Sequence, residues 1–462
     1  MRRTVRKTEG GNGGSRVNNS RVVLDKAAEI LGKASPILED EVLCEYVRPL
    51  LAQRDLFLES RGRHRTPVYL FDEQVLLDRA KQFTTVFTNE VHAFRAFFAV
   101  KSNNHPAVAK SLVKFGLGLD VSSGFELKIA LATGCQRILF SGPGKTDPEL
   151  DLAVANTDAV TVLIDSFGEF ERLERIARCR NVEVRAGVRL TTEERGLWRK
   201  FGISLAELER FMEKAETSHH VRLCGLQFHT SWNLAPVAQV SFLRRLGEQL
   251  GVMNRRRIRA IEFLDIGGGY WPSQGEWVRF SATPEGRLIQ SVLPDTRSPD
   301  RYRFPSEPIE VFAREIGGAL REHVFPYVRC NVFAEPGRWL VNDSMHILLT
   351  VVDKKAEDLV IVDGGTNVVG WDRFETDYFP VINLSRPSLI ERSCFICGSL
   401  CTPHDVWGYG YFGDTIEQGD ILMIPSQGAY TYSLRQQFIK PLAKVIPLED
   451  PDPVRRKGSR PR

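Results

Sequence analysis

A chain of 462 residues is too long for one small core and fits two domains, or one large barrel with an addition. Its 42% hydrophobic and 26% charged residues are those of a soluble globular enzyme. With 62 basic against 58 acidic residues the net charge is only +4, no nucleic-acid-reading pattern is present, and no apolar run is long enough to span a bilayer, so neither a nucleic acid nor a membrane is an expected partner.

Residues 1–22 are rich in Gly, Asn and Arg and are expected to form a disordered tail. Its basic start runs into "EGGNGGSRVNNS" where a signal peptide needs an apolar stretch, so a cytoplasmic protein is expected. Residues 23–65 carry helical periodicity ("LDKAAEILGKA", "EVLCEYVRPLLAQRDLFLES") and form an N-terminal extension. "TPVYLFD", at about 66–72, is a strand. From there to residue 340, apolar strands alternate with helical segments: "VHAFRAFFAVK" with "HPAVAKSLVKFG", "LGLDVSS" with "GFELKIALATG", "RILFSG" with "DPELDLAVAN", and onward to "RCNVFAEPGRWLV". A count near eight, spaced as βαβ units, predicts an α/β fold, a (β/α)8 TIM-like barrel with its active site at the strand C-termini. A doubly wound sheet is the rival, but a lone "GGG" is not the GxGxxG fingerprint. Residues 273–306 show turn chemistry without a period and are expected to be an inserted surface loop, possible as a lid. From 341 to 450 short strands dominate and predict a C-terminal β-domain, to which the strand at 66–72 contributes. A basic tail, 451–462, follows. The eight cysteines are scattered as reduced thiols would be. Cys394, Cys397 and Cys401 lack a second pair and a histidine set apart from His404, so no metal site is expected.

"FFAVKSNNHP" raises the chemical question. Lys101 ends an apolar strand. It is either the first solvated residue or a reactive amine with a lowered pKa. His229 ends another strand ("FHTSWN"), and Gly267, Gly268 and Gly269 follow a third ("IGGGYWP"). Glu335 and Arg338 follow the last ("AEPGR"). Each alone has an ordinary structural explanation; all fall at one face of the expected barrel. Successive glycine N–H groups with Arg338 suit a phosphate. An amine, a phosphate site and a carboxylate together suggest pyridoxal 5′-phosphate, with His229 stacked on its ring.

The segments "FFAVKSNNHPAV", "GLGLDVSSGFELKIALATG", "ILFSGPGK", "GLQFHT", "LDIGGGYWP", "FAEPGRWLV", "VDGG", "GSLCTPHD" and "GDILMIPSQGAYTYS" occur in the order found in the barrel-type pyridoxal-phosphate decarboxylases, the diaminopimelate and ornithine decarboxylase group. The chain resembles that family from about residue 66 to 440. The resemblance implies a Schiff base on Lys101, with Asp120 and Glu126 as the acidic pair beside it. It implies that His229 stacks on the ring and that Glu335 pairs with the pyridinium nitrogen. Gly268, Gly269, Arg338 and Tyr430 would bind the phosphate. Cys401 would reprotonate the α-carbon across a dimer interface, with Asp405 near the substrate, which makes the protein a homodimer with shared active sites.

Two departures stand out. The family shows histidine, any residue, glycine, serine at the stacking motif; this chain has His229-Thr230-Ser231-Trp232, with a bulky ring where a small residue lies near the phosphate. After the cysteine, an acidic residue that would hold a distal ammonium is replaced by Thr402. Arg373 lies near, but not at, the position of an arginine for a far carboxylate. The expected activity is α-decarboxylation of a small-molecule amino acid or amino-acid conjugate; a racemase and an inactive regulatory homologue are the alternatives.

Overall fold

The computed structural model describes residues 13–449 except 295, 297, 299 and 371–375. Strand β1 (Val68–Phe71) precedes β2 (Phe94–Ala99), β3 (Gly118–Val121), β4 (Ile138–Phe140), β5 (Val160–Ile164), β6 (Val184–Leu190), β7 (Val221–Phe228) and β8 (Phe263–Asp265). Then come β9 (Glu276–Arg279), β10 (Arg301–Phe304), β11 (Asn331–Ala334), β12 (Met345–Ala356), β13 (Leu359–Val362), β14 (Ile382–Asn383), β15 (Glu391–Cys397), β16 (Val406–Phe412), β17 (Ile421–Ile424) and β18 (Lys444–Pro447).

Strands β2 to β8 and β11 close into a parallel barrel in the order β11-β2-β3-β4-β5-β6-β7-β8. The expected (β/α)8 barrel is therefore present. The barrel strands are largely buried, and two of the helices that follow them start on a serine cap. Ser123 and Ser166 accept from the N–H of Glu126 and Glu169 at the first turns of helices Gly124–Ala132 and Phe167–Arg180. The barrel is filled, not hollow. Phe97, Leu139, Leu163, Cys224, Phe263 and Phe333 form its inner cluster, and the Phe263 and Phe333 rings stack at 4.8 Å. Gly225 makes room for them: a Cβ there would stand 2.0 Å from the Phe263 ring.

The C-terminal sheet runs β13-β15-β16-β14-β17-β12-β1-β18. β1, which precedes the barrel in sequence, pairs antiparallel with β12 and parallel with β18. Helices Asp40–Ala52 and Arg54–Arg61 bury Leu43, Val47 and Phe57 against Val68, Leu70, Leu348, Met423 and Ile446 of this sheet.

Two expectations are corrected. Helix Gly13–Leu31 begins inside the segment that composition assigns to a tail; residues 1–12, like 451–462, lie outside the described residues. The 273–306 segment is folded rather than a plain loop. It contains the antiparallel pair β9–β10 and helix Pro284–Val292, capped by the Thr283 hydroxyl. It is tied to the N-terminal extension: Leu38 N donates to Arg301 O at 2.8 Å, Ser35 Oγ to Glu285 Oε2 at 2.8 Å, and Arg301 Nη2 to Asp40 Oδ1 at 2.5 Å. The N-terminal extension and the insertion thus pack on each other.

Candidate active site

Lys101 leaves the end of β2 in a single 3-10 turn, Val100–Ser102. Its Nζ lies 3.2 Å from Asp120 Oδ2, at the end of neighbouring β3. The other Asp120 oxygen accepts from Ser141 Oγ at 2.7 Å, so this buried carboxylate is held on both sides. Burial pulls the Lys101 pKa down, but the charges of Asp120 and Glu335 outweigh it and hold the amine protonated, above the ordinary lysine value. The lowered value expected of a reactive lysine is corrected on that ground: two carboxylates face it. Glu126 stands one step back. Its Oε2 accepts the Ser122 N–H at 2.7 Å, which fixes the chain at the end of β3.

His229 follows β7, and Glu335 follows β11. His229 Nδ1 lies 3.0 Å from Glu335 Oε2, while Gln227 Nε2 donates to Glu335 Oε1 at 3.1 Å. Burial lowers the His229 pKa, leaving the imidazole neutral. Burial alone would raise Glu335, but its contact with His229 and the charge of Lys101 hold it below the usual carboxylate range. Asp265, at the end of β8, goes the other way. It is fully buried, and the Glu335 charge adds to the effect of burial in pushing it well above its ordinary value. Asp265 Oδ1 accepts the Gly267 N–H at 2.9 Å. The two neighbouring carboxylates are thus driven in opposite directions, the separation expected of like charges forced together.

The glycine turn after β8 is shaped as a cradle. A Cβ on Gly268 would stand 2.3 Å from Glu335 O, and one on Gly269, at φ +86°, 2.3 Å from Thr230 O. Arg338 lies with its guanidinium 4.1 Å from the Trp271 ring centre and 5.1 Å from that of Tyr430. Tyr430 comes from the C-terminal domain with φ 58°, and its N–H donates to Ser102 O at 2.7 Å. That bond seats the loop after β17 against the Lys101 turn. Trp232 does not fill the cradle: its side chain is 66% exposed, on a backbone with φ 53°. Amine, backbone N–H groups, guanidinium, phenol, imidazole and buried carboxylate are the donor set that an aldehyde, a phosphate and a pyridine nitrogen require.

The remaining expected residues lie apart. Cys401 is exposed and Thr402 partly exposed on the turn between β15 and β16. No hydrogen bond or ion pair among the described residues joins them to Lys101. Asp405, expected near a substrate, is instead a buried brace. Oδ1 accepts from Thr366 N at 2.7 Å and Thr366 Oγ1 at 3.0 Å, and Oδ2 from Leu400 N at 2.7 Å. Its oxygens are taken by the chain itself. Arg373 lies outside the described residues. Asp265 and Gln227 were not singled out by sequence. Asp265 carried the same signal as Lys101, a charge closing an apolar strand.

Comparison with known proteins agrees with this geometry. The family model described as "Pyridoxal-dependent decarboxylase, pyridoxal binding domain" matches residues 76–342, more than half of the chain. The chain belongs to that family. It is 23% identical over 438 residues to diaminopimelate decarboxylase of Aquifex aeolicus, covering 89% of this chain and 94% of the relative. It is 25% identical over 402 residues to the L-glutamyl-[BtrI acyl-carrier protein] decarboxylase of Niallia circulans, covering 80% and 85%. The fold matches the crystal structure of Helicobacter pylori diaminopimelate decarboxylase complexed with L-lysine, with a TM-score of 0.65, 22% identity, and coverage of 85% and 94%. The protein is a pyridoxal-phosphate-dependent carboxy-lyase acting on an amino acid. No helix among the described residues is long and apolar enough to cross a membrane.

Proposed function

We propose that the protein is an α-decarboxylase whose catalytic residues are Lys101, His229, Glu335 and Cys401. The observation that carries this reading is the gathering of an amine, a glycine-lined turn and a buried ionised carboxylate at one end of the barrel. Pyridoxal phosphate, when bound, supplies an electron-poor ring that takes the electron pair left behind as carbon dioxide departs. Lys101 would hold the cofactor through its amine, which Asp120 orients. Glu335 would hold a proton on the ring nitrogen, and His229 would bind the ring. Gly268, Gly269, Arg338 and Tyr430 would bind the phosphate.

Cys401 gives its proton to the α-carbon of a substrate in the neighbouring subunit, so the working unit is a homodimer. Its exposed position supports this, as do the exposed apolar side chains Leu434, Phe438, Ile439 and Leu442. Eight free cysteines support a cytoplasmic location. Thr402 offers a hydroxyl where a distal ammonium would need a charge, so the substrate side chain is acidic or extended as a conjugate. One named relative acts on a substrate of that kind, glutamate joined to a carrier protein.

The test is borohydride reduction of cofactor-treated protein, followed by peptide mass analysis. The cofactor should be fixed on Lys101 and should be absent from Lys101→Ala. An unmodified Lys101 overturns the assignment. Carbon dioxide release is then measured from lysine, ornithine, diaminopimelate, glutamate and carboxylated conjugates, with chiral analysis of the product. Preferred turnover of ornithine overturns the argument from Thr402.

A further inference from the structure

We propose that the cavity between the 273–306 insertion and the β15–β16 hairpin is an anion site that receives the carboxylate or phosphate end of an extended substrate. This deepens, and rests on, the reading of the protein as a decarboxylase of an extended amino acid. The cavity has a volume of about 700 Å³, the size of a small-molecule site. It is bordered by Arg279 and Arg301 of the insertion, by Arg392 and His404, and by Tyr378 and Tyr409.

Its charge balance is the argument. Arg301 is neutralised, with Glu391 and Asp40 each at 2.5 Å. Arg279 is not. Its Nε donates to Asp377 O at 3.2 Å, its Nη2 donates to Trp407 O at 3.1 Å, and its guanidinium stands 5.3 Å from the Tyr409 ring centre. Backbone carbonyls fix the side chain in place, and the only carboxylate whose charge is felt there among the described residues, Asp377, acts from beyond ion-pair distance. Among the described residues, no carboxylate lies within ion-pair distance of it. A partly buried cation held rigidly without an anion is costly to keep unless a ligand supplies one. Burial accordingly draws the Arg279 pKa below its ordinary value. Among the described residues Arg392 is likewise without a carboxylate partner; its Nε donates to Gly413 O at 3.2 Å. Of the acidic residues at the rim, Glu391 is spent on Arg301 and Asp300 is exposed, accepting from Ser298 Oγ.

The location suits a substrate's far end. His404 and Pro403 border the cavity and belong to the turn that carries Cys401 and Thr402. On another side, Tyr378 and Phe379 also line a smaller cavity, of about 40 Å³, which is bordered by Arg338 and Trp271. The anion site thus adjoins the turn that carries Cys401, the group this chain lends to the neighbouring subunit's active site. A neutral hydroxyl at Thr402 would let an uncharged tether pass, and the charge would be met farther out.

The test is titration calorimetry on the cofactor-loaded protein, so that the Gly268 cradle is already filled. The probes are inorganic pyrophosphate and glutarate. Saturable binding of either at one site per chain supports the proposal, and the tighter probe shows whether the natural end group is a phosphate or a carboxylate. Arg279→Gln should weaken the tighter probe at least tenfold. Because Arg279 also braces two carbonyls, Arg392→Gln serves as a second variant and should weaken it several-fold. Failure of both probes to saturate, or wild-type binding by both folded variants, overturns the proposal. Cofactor absorbance and carbon dioxide release, followed in parallel, report separately on the decarboxylase reading.

Discussion

His229 Nδ1 lies 3.0 Å from Glu335 Oε2, and the Gly268 N–H points at the same nitrogen from 3.1 Å. The two contacts need opposite tautomers. The first requires a proton on Nδ1; the second requires a lone pair. Only one is a hydrogen bond at a time, so the imidazole links the carboxylate to the glycine cradle. When Glu335 serves a ring nitrogen instead, Nδ1 is free to accept from Gly268. Glu335→Gln keeps the shape but loses the charge that holds a proton on the ring. It should lower kcat by about 10²–10³-fold, the usual effect of removing one preorganised electrostatic group, with KM changed far less. Cofactor absorbance should persist. Steady-state kinetics on the loaded variant checks it.

Asp265 supplies a pH signature. Its pKa is raised in the fold by burial and then by Glu335, so folding favours its protonated form. That contribution is complete below the unfolded value of about 4 and is lost as pH rises toward the folded value. Asp265→Asn mimics the neutral acid and can still accept from Gly267. It should raise Tm at pH 8 and change it little at pH 4. Thermal melts across that range decide it. An equal effect at both values would mean that Asp265 is ionised in the native state.

The barrel was legible because eight apolar runs alternate with amphipathic segments, a pattern set by local periodicity. Lys101, His229 and Glu335 were legible because each is a polar residue closing such a run. The insertion was not. Its strands are only four residues long, and what orders them is remote: Ser35 on Glu285, Asp40 on Arg301. The helix from Gly13 was hidden by a composition poor in helix formers. The part played by Asp405 was hidden too, because its partners are backbone N–H groups of residues 366 and 400, which no side-chain pattern announces.

That brace leads to a stability prediction. Asp405→Ala strips acceptors from two buried N–H groups and one hydroxyl. It should destabilise the protein by about 2–4 kcal/mol and loosen the turn that presents Cys401. Denaturant unfolding measures the first effect, and the rate of Cys401 alkylation the second. A variant with wild-type stability would show that water replaces the carboxylate at no cost.

Gly268→Ala tests the cradle directly. A Cβ 2.3 Å from the Glu335 carbonyl cannot be accommodated without moving the β8 and β11 turns apart. Cofactor affinity should fall about tenfold or more, since overpacking of this kind costs about 1–3 kcal/mol. Titration followed by absorbance measures it. Unchanged affinity would place the phosphate elsewhere.

The proposal that two subunits share each active site gives the last prediction. Lys101→Ala removes the amine from the barrel, and Cys401→Ala removes the thiol from the β15–β16 turn. If each site draws these two groups from different subunits, the two inactive variants complement each other. On mixing in equal amounts under conditions that exchange subunits, half of the dimers combine one of each. Such a dimer has one site lacking both groups and one site with neither defect, so activity should recover to about a quarter of wild type. The two groups acting within one chain would leave every mixed site defective, with no recovery above the sum of the parents. Activity recovered after mixing, with subunit exchange confirmed by native mass analysis, separates the two arrangements.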